Sequence, residues 1–399
     1  MWKTLFIPLI LILLISCNSK SNATNYPFPQ PKRYPYGIKA NIESQEEMNN
    51  KVQIAYENWL SDYLTTESCP KDSYRIHMGK AMEFATVSEG IGWGMLIMIF
   101  MDNEKNNTKK YFDGLYKFYK SYLDANGLMN WKINRYGDIV GENAATEADE
   151  NVAMALLFAH KQWGSQGTIN YLKEAKSLIN KIMEHEVEKP NYIVKPGDVW
   201  GGAEVLNPCY FDPAYYRIWM SVTEDKNWQK VTVKSYEILN YFYKNYSTGL
   251  VPDWCKEDGS KADIPGCSYS YRYNACQVPL KMTLDYIWFG TKNSELAHNL
   301  PHRLSGWIKK RTKENPSQIK DGYNLDGTII GEYNNAAFVG PFAVAAMVDT
   351  KHQDWLNKTY KHLSNMSTGG DWGYYPDTLR LVSLLVLTGN MPNFYDIES

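Results

Sequence analysis

The sequence predicts an all-α protein in which twelve helices pair as six hairpins and close into a ring. Apolar residues recur at three- and four-residue spacing in twelve segments, whereas the alternating runs that indicate strands are scarce. Loops rich in Gly, Asn and Pro separate these segments, which predicts short connections. The predicted helices cover residues 46–64, 87–101, 109–123, 148–163, 169–184, 213–222, 228–243, 274–289, 294–309, 335–348, 353–363 and 375–388.

The polarity of the segments predicts which helices lie inside the ring. Segments 87–101 and 335–348 are apolar nearly all round, as expected for helices that are packed on every side. Segment 109–123 carries many Lys and Tyr side chains and is expected to keep one face in water. No consensus repeat accompanies the hairpins, so a closed ring is favoured over an open solenoid. No Pro- or Ser-rich break interrupts the later chain, which predicts one domain over residues 35–399.

The N-terminus has the features of an export signal. Lys3 precedes an apolar run over residues 5–15, which is too short to span a membrane. The run ends in Leu-Ile-Ser-Cys, which resembles a bacterial lipobox in which Cys17 becomes the acylated first residue; a plain secretory signal is the alternative. We expect residues 1–17 to be a lipoprotein signal peptide and residues 18–34 a flexible tether. The protein is then exported and lipid-anchored to the cell envelope, at the outer membrane or cell surface.

Composition excludes some partners and favours others. The 42 Lys and Arg residues nearly balance 44 Asp and Glu, which argues against a nucleic-acid-binding surface. Trp and Tyr, 13 and 30 residues, outnumber 13 Phe, and their flat apolar faces with polar edges suit sugar rings. Five cysteines follow Cys17, so at least one is expected to be free. Cys255 and Cys267 flank a loop and could form a disulfide, and the cysteine spacings match no zinc pattern.

Two short segments contain acids that are placed for catalysis. Residues 88–94 read Ser-Glu-Gly-Ile-Gly-Trp-Gly, with Glu89 alone among small and apolar residues at a helix start. Burial would raise the pKa of Glu89 and let it serve as an acid near neutral pH, although a helix-capping role is the alternative. Residues 145–153 read Ala-Thr-Glu-Ala-Asp-Glu-Asn-Val-Ala, and acids in a first helical turn also have a plain capping explanation. Glu147 and Asp149 are two positions apart and should point in different directions.

These two segments together resemble glycoside hydrolase family 8, and the similarity is closest to its bacterial endoglucanases. Further matching segments are 127–131, 196–202, 207–216, 251–255, 334–338 and 372–381. The resemblance implies an (α/α)6 barrel, in agreement with the twelve helices counted independently. It implies an inverting, endo-acting hydrolase that cleaves β-1,4 bonds of a glucan of the cellulose or mixed-linkage type. It implies no cofactor and no metal, and we expect a monomer that binds a β-linked polysaccharide or oligosaccharide.

The resemblance also assigns residues position by position. Glu89 matches the general acid, and Asp149 matches an acid that holds the sugar at the cleavage point. Glu147 replaces the first acid of the family's Asp-x-Asp pair and is expected to contact the substrate. Several aromatic residues fall where the endoglucanases stack sugar rings or near the cleavage point, although core packing is the alternative for each one. These aromatic residues are Trp131, Trp200, Tyr215, Tyr216, Tyr273, Tyr374 and Tyr375.

The sequence departs from the family at the catalytic base. The endoglucanases have an aspartate in Tyr-Asp-Ala-x-Arg, whereas residues 273–277 here read Tyr-Asn-Ala-Cys-Gln. An amide has no useful basicity near neutral pH, so Asn274 cannot take a proton from water. Some members, chitosanases among them, also carry asparagine here and take the base from the preceding loop. In this chain that loop contains Asp253, Glu257, Asp258 and Asp263. We predict Asp263 as the base, because Asp253 belongs to a motif shared with members that keep the aspartate.

Alternative functions stay open at this point. Cellulose, mixed-linkage glucan, chitosan and xylan share a β-1,4 backbone, so a chitosanase or a xylanase is possible on the same scaffold. A catalytically inactive surface protein that binds glycan is another alternative, because the usual base position is Asn274. The retained Glu89 and Asp149 argue against a pure binding protein. A transferase, in which a sugar hydroxyl replaces water, is the last alternative.

Overall fold

The computed structural model describes residues 24–395, and in this range twelve α-helices form the six predicted hairpins. The helices are α1 (Gln45–Tyr63), α2 (Ser88–Phe100), α3 (Lys109–Ser121), α4 (Thr146–Trp163), α5 (Tyr171–Lys181), α6 (Pro213–Thr223), α7 (Asn227–Asn245), α8 (Val278–Phe289), α9 (Leu296–Arg311), α10 (Ala336–Ala345), α11 (Gln353–Ser364) and α12 (Tyr374–Leu387). The predicted (α/α)6 barrel is confirmed, and every predicted helix is present within a few residues of its expected bounds.

The even-numbered helices form the inner ring and the odd-numbered helices surround it. Helix α2 packs on α4, α8 packs on α6 and α10, and α10 packs on α12. Each of α2, α4, α6, α8 and α10 packs on the outer helix that follows it, and α12 closes the ring against α1. Every residue of α10 is buried, whereas α3 buries only one face. The all-apolar and amphipathic patterns therefore identified inner and outer helices correctly.

Local sequence signals set the ends of individual helices. Helix α1 begins with a capping box, in which the Ser44 side chain accepts from the Glu47 backbone N–H and the Glu47 carboxylate accepts from the Ser44 N–H. Helix α4 ends at Gly164, whose φ of 75° lies in a region that favours glycine. Such caps satisfy backbone groups that have no partner within the helix.

Short strands tie the helices together at one end of the barrel. They are β1 (Leu64–Thr65), β2 (Arg75–Ile76), β3 (Thr86–Val87), β4 (Asn130–Ile133), β5 (Ile139–Ala144), β6 (Val187–Glu188) and β7 (Ile193–Val194). Strands β3, β4 and β5 form an antiparallel sheet, in which Thr86 pairs with Ile133 and Asn130 pairs with Ala144. Because β3 leads directly into α2 and β5 leads into α4, this small sheet places the first turns of two inner helices side by side. The sequence analysis did not predict it.

The segment over residues 24–34 packs against the barrel. The Tyr26 ring stacks on Phe394 with centroids 4.4 Å apart, Phe28 is buried, and the Tyr34 hydroxyl donates to the Val386 carbonyl at 2.9 Å. The predicted tether over residues 18–34 is therefore wrong for residues 24–34, because three aromatic side chains in this polar, Pro-rich segment pack against the barrel. The signal peptide, Cys17 and the remainder of the tether lie outside the described residues.

Each of the five cysteines that the structure describes is a free thiol. Cys255 is buried and Cys267 is partly exposed, and both are free thiols. The disulfide considered between them is therefore not formed. Over residues 24–395, none of the helices combines the length and the apolar character that crossing a bilayer requires.

Candidate active site

The N-terminal ends of inner helices meet around a cleft of about 460 Å³. Glu89 lies in the first turn of α2, Asn335 caps α10, and Tyr374 begins α12. Asn274 lies directly before the turn that leads into α8. The full lining is Met78, Met82, Glu89, Tyr273, Asn274, Asn335, Trp372, Tyr374, Tyr375 and Pro376. Helix N-termini carry a partial positive charge, so this end of the barrel suits negative charge in a ligand or side chain.

Glu89 is the acid that lines this cleft. Its pKa is raised to about 8, first by burial and then by the negative charge of Glu147. The Tyr374 hydroxyl donates to Glu89 Oε1 at 3.3 Å and, together with the positive charge of Lys281, opposes that rise. The carboxyl group is therefore protonated near neutral pH while it faces the cleft, which is the state that the sequence analysis expected of a proton donor.

The glycines next to Glu89 serve helix packing. A Cβ at Gly92 would lie 2.7 Å from the Asn151 Cβ of α4, and a Cβ at Gly90 would lie 2.9 Å from the Tyr374 hydroxyl. Neither distance is compatible with a side chain. These glycines let α2 approach α4 and α12 closely, which holds Glu89 and its neighbours within reach of one another.

Glu147 lies close to Glu89, behind the residues that line the cleft, in a buried ion-pair network. Lys281 Nζ lies 2.8 Å from Asp212 Oδ2 and 3.7 Å from Glu147 Oε1, and all three side chains are buried. Burial raises the pKa of Glu147, and the positive charge of Lys281 opposes that rise. The carboxylates of Asp212 and Glu147 hold the pKa of Lys281 above its usual value despite burial. One lysine thus neutralises two acids beside Glu89.

Gln277 links this network to the far side of the cleft. Its side chain hydrogen-bonds Glu147, and its Nε2 donates to the Tyr375 hydroxyl at 3.0 Å. The Tyr375 hydroxyl donates in turn to the Tyr273 carbonyl at 2.5 Å. A glutamine fits here without requiring another counter-ion, which agrees with the joint loss of the family's aspartate and arginine from this segment.

Asp149 does not face the cleft, so its predicted contact with the sugar is wrong. It is fully buried, accepts a hydrogen bond from the Tyr119 hydroxyl, and has a pKa raised to about 7 by burial. Its other neighbours are the Met129 backbone N–H and the acids Asp124 and Asp198, outside the cleft lining. Residues two apart on a helix point about 200° apart, so the turn that aims Glu147 toward Glu89 aims Asp149 away from it. The two side chains do diverge as predicted.

Asn274 lines the cleft at the usual base position, and a carboxylate lies directly behind it. Asp253 Oδ1 accepts backbone N–H groups from Arg272, Asn274 and Ala275 at 3.1, 3.2 and 2.8 Å. A hydrogen bond from the Asn274 side chain also favours the charged form of Asp253. Burial outweighs these bonds and raises the pKa of Asp253 to about 6.

The other loop acids lie away from the cleft. Asp263 is 84% exposed and pairs with Lys256 at 3.6 Å, so its predicted role as the base is wrong. Glu257 pairs with Lys234 of α7 at 3.0 Å, and Asp258 Oδ1 accepts the Ser260 N–H at 2.8 Å. Glu257 and Asp258 border a depression of about 620 Å³ on the outer face of α7. The loop follows the outer helix instead of folding over the cleft.

The predicted aromatic residues divide into three groups. Tyr273, Tyr374 and Tyr375 line the cleft as expected. Trp131, on β4, and Trp200 are exposed and free to stack against a ligand, although they lie outside the cavity lining.

Tyr215 and Tyr216 are buried in the core, so their predicted contact with substrate is wrong. The Tyr216 hydroxyl donates to Glu150 at 2.7 Å, and that of Tyr215 donates to Asn151 at 3.4 Å. Both tyrosines are in the first turn of α6 and point toward α4. They satisfy polar groups of that helix within the inner ring.

Sequence reasoning missed three residues of the site. Lys281 is the one cation in the mostly apolar helix α8, and that isolation was a usable signal. Trp372 lines the cleft while 71% exposed, and it stood inside a matching segment. Burial raises the pKa of Tyr210, and the nearby charges of Glu147 and Glu89 raise it further. Only the tertiary structure reveals that these residues are close together.

Comparison with known proteins places this chain among carbohydrate-active enzymes. The sequence model for glycosyl hydrolases family 8 matches residues 26–389. Endoglucanase 2 of Ruminiclostridium josui is 38% identical over 95% of this chain and 80% of its own length. A β-glucanase of Niallia circulans is 35% identical over 97% of this chain and 96% of its own length. The apo structure of a β-1,3-1,4-glucanase from Paenibacillus sp. X4 superposes with a TM-score of 0.86 at 35% identity, covering 92% of this chain and 99% of that one.

Proposed function

This chain belongs to glycosyl hydrolase family 8, and from that premise we propose that it is an endo-acting β-glucan hydrolase in which Glu89 donates the proton. The observation that carries this proposal is a carboxyl group that lines an aromatic cleft with its pKa raised to about 8. Tyrosine and tryptophan rings beside that acid suit the apolar faces of glucose rings. Relatives named endoglucanase and β-glucanase, each at least 35% identical over nearly the whole chain, support glucan as the substrate class.

Glu89 protonates the bridging oxygen as the glycosidic bond breaks, which makes the departing sugar a neutral alcohol. Glu147, buried beside Lys281 and close to Glu89, binds hydroxyl groups of the sugar at the cleavage point and stabilises positive charge on its ring. In an inverting reaction, water attacks from the opposite face of the ring while a base removes its proton. The base then has to come from the wall that contains Asn274.

We propose Asp253 as that base. Of the four acids of the loop, it is the one that lies against the cleft wall, and it contacts Asn274 through both backbone and side chain. The pKa of Asp253, about 6, leaves it charged at neutral pH and basic enough to take a proton from an activated water. Asn274 can then position the water by hydrogen bonding without accepting its proton.

The substitution Asp253→Asn tests the base. The amide keeps an oxygen for the three backbone N–H bonds, so the fold should survive, and kcat should fall at least about 10²-fold. Azide, which needs no base, should restore turnover and give a glycosyl azide of α configuration at the new chain end. Asp263→Asn, in the same loop but exposed, is the matched control and should keep wild-type activity. Full activity in Asp253→Asn would overturn this assignment and direct attention to Asp321, which accepts from the Tyr273 hydroxyl at 2.7 Å.

The substrate is tested on carboxymethyl cellulose, mixed-linkage β-glucan, xylan and chitosan. We expect hydrolysis of one or both glucans, with viscosity falling faster than reducing ends appear, because an endo-acting enzyme cuts within the chain. Proton NMR of early products should show the α anomer first. Activity on chitosan or xylan alone would contradict the glucan assignment, and a β anomer would contradict inversion.

We also propose that the protein is exported and lipid-anchored through Cys17, and that its catalytic domain is a monomer. The support is the sequence Leu-Ile-Ser-Cys at the end of a short apolar run. Wild-type protein should incorporate labelled palmitate and partition with membranes, whereas Cys17→Ala should do neither. Light scattering of a detergent-solubilised sample should give the mass of one chain. Unlabelled protein in the soluble fraction would indicate a plain secretory signal.

A further inference from the structure

Metal-ligating side chains gather where α9 meets the connection between α10 and α11. His298 and His302 are four residues apart in α9 and therefore lie on one face of that helix. Asp349 lies just after α10, and its Oδ2 is 3.4 Å from His302 Nδ1. His352, at the start of α11, places its Nε2 3.2 Å from the same nitrogen. None of these residues has a part in the glucanase site.

We propose that His298, His302 and Asp349 bind a divalent transition metal, with zinc as the best fit. One ligand atom from each residue can be chosen so that all three lie within 4.8 Å of one another. Tetrahedral zinc, with bonds of about 2.0–2.1 Å, holds its ligand atoms roughly 3.3 Å apart. Small side-chain rotations close that gap, and a water molecule completes the coordination. Two imidazoles and one carboxylate are a typical zinc ligand set.

Hydrogen bonds hold Asp349 and His298 in place and leave one ligand atom of each available, whereas His302 Nδ1 contacts His352. Asp349 Oδ1 accepts the Lys351 backbone N–H at 2.9 Å, so the carboxylate is held in place while Oδ2 faces His302. His298 Nδ1 lies 3.0 Å from the side-chain oxygen of Asn299, a contact that orients the ring and leaves Nε2 for a ligand. The site is thus partly organised before a metal binds.

Charged groups of both signs surround the cluster. Lys309 and Lys351 are close enough to oppose a cation, and the Asp349 carboxylate offsets part of that repulsion.

The position of the site predicts a structural role. The cleft lies at the N-terminal ends of the inner helices, whereas Asp349 follows the C-terminal end of α10, about 15 Å further along that ten-residue helix. A metal here would join outer helix α9 to the α10–α11 connection at the opposite end of the barrel. Binding should therefore raise stability and leave glucan hydrolysis unchanged.

Titration of metal-stripped, full-length protein with zinc chloride tests the site. We expect one zinc ion per chain by calorimetry, a thermal unfolding midpoint raised by about 2–5 °C at saturation, and visible absorption of tetrahedral cobalt when Co²⁺ replaces zinc. The double variant His298→Gln/His302→Gln should lose all three signals, and Asp349→Asn should bind at least tenfold more weakly. His185→Gln, a partly exposed histidine elsewhere, should behave as wild type.

Two results would overturn the proposal. One is the absence of both binding and stabilisation in wild-type protein at 100-fold excess metal. The other is equal zinc binding by the wild type and the double variant, which would place the metal elsewhere. Circular dichroism of the variants without metal establishes that they are folded, so a lost signal reports on the ligands. Because glucan hydrolysis is measured separately, failure here leaves the proposed function untouched.

Discussion

The two walls of the cleft differ in how they carry ionisable groups. We call Glu89 and Glu147 the acid wall and Tyr273, Asn274 and Asn335 the amide wall. On the acid wall, Glu89 in the first turn of α2 lines the cleft, and Glu147 in the first turn of α4 is buried close to it. Burial raises both pKa values, and the charge of Glu147 raises that of Glu89 further. On the amide wall, neutral side chains line the cleft and two carboxylates lie behind them: Asp253 contacts Asn274, and Asp321 accepts from the Tyr273 hydroxyl.

The proton donor therefore lies at the surface of the cleft, whereas Asp253, the base that we propose, lies behind the side chains that line it. Lys281 connects the two walls, since it belongs to α8 on the amide side and pairs with Asp212 and Glu147. Its charge lets Glu147 approach Glu89 without two unpaired negative charges in a buried space. Four experiments test whether the walls are as different as the geometry indicates.

The largest effect is expected from Glu89→Gln on the acid wall. We expect kcat to fall about 10³-fold or more, because an amide cannot protonate the leaving oxygen. In the wild type, kcat/KM should fall as pH rises through the pKa of Glu89, about 8, because the deprotonated acid cannot donate. Glu83→Gln, an exposed glutamate close by in the chain, is the control and should leave the rate unchanged. Comparable activity in both variants would remove the acid wall from the mechanism.

Lys281→Met breaks the connection between the walls. We expect unfolding free energy at pH 7 to drop by about 3 kcal/mol, since Asp212 and Glu147 would remain buried without their cation. The pKa values of both acids would rise further, so the loss should grow as pH increases and shrink at pH 5, where the neutral forms predominate. Urea unfolding at the two pH values measures this. Lys256 pairs with Glu204 and Asp263 on the surface, so the control variant Lys256→Met should have nearly the wild-type free energy of unfolding.

Glu147→Gln and Asp149→Asn distinguish two acids that are two positions apart in the sequence and point in opposite directions. The first variant should lose about 10- to 10²-fold in kcat/KM, as expected for a lost hydrogen bond to a charged group. It should also move the alkaline limb of the pH profile to lower pH, because the charge of Glu147 raises the pKa of Glu89. Asp149→Asn should leave that limb in place. A shift of the alkaline limb in Asp149→Asn, with none in Glu147→Gln, would show that Asp149 and not Glu147 acts on Glu89.

The smallest effect is expected from Trp372→Ala at the edge of the cleft. Loss of one exposed stacking surface, worth about 1 kcal/mol, should raise KM roughly fivefold and leave kcat nearly unchanged. Tyr333→Ala removes an aromatic ring that is 67% exposed but outside the cleft lining, and it serves as the control. Equal KM values for the two variants would show that Trp372 does not contact the glucan.

Local patterns were sufficient for much of this protein. Twelve helices were predicted because an apolar periodicity of three to four residues is a property of each segment alone. The inner position of α2 and α10 followed from their apolar composition, and the raised pKa of Glu89 followed from a lone acid among small and apolar neighbours. The pairing of β3 with β4 escaped prediction because it joins residues more than forty positions apart.

What only the tertiary structure decided is the direction in which side chains point and which distant residues meet. The rotation of α4 about its axis places Glu147, and not Asp149, close to Glu89. The path of one loop carries Asp263 away from the cleft and places Asp253 behind Asn274. The packing of α6 buries Tyr215 and Tyr216. The aromatic side chains of residues 24–34 pack against the barrel, so this segment is not a tether. Sequence determines which segments are helices because that depends on neighbours three and four residues away. A site is formed by contacts between helices, and these depend on the closure of the whole ring.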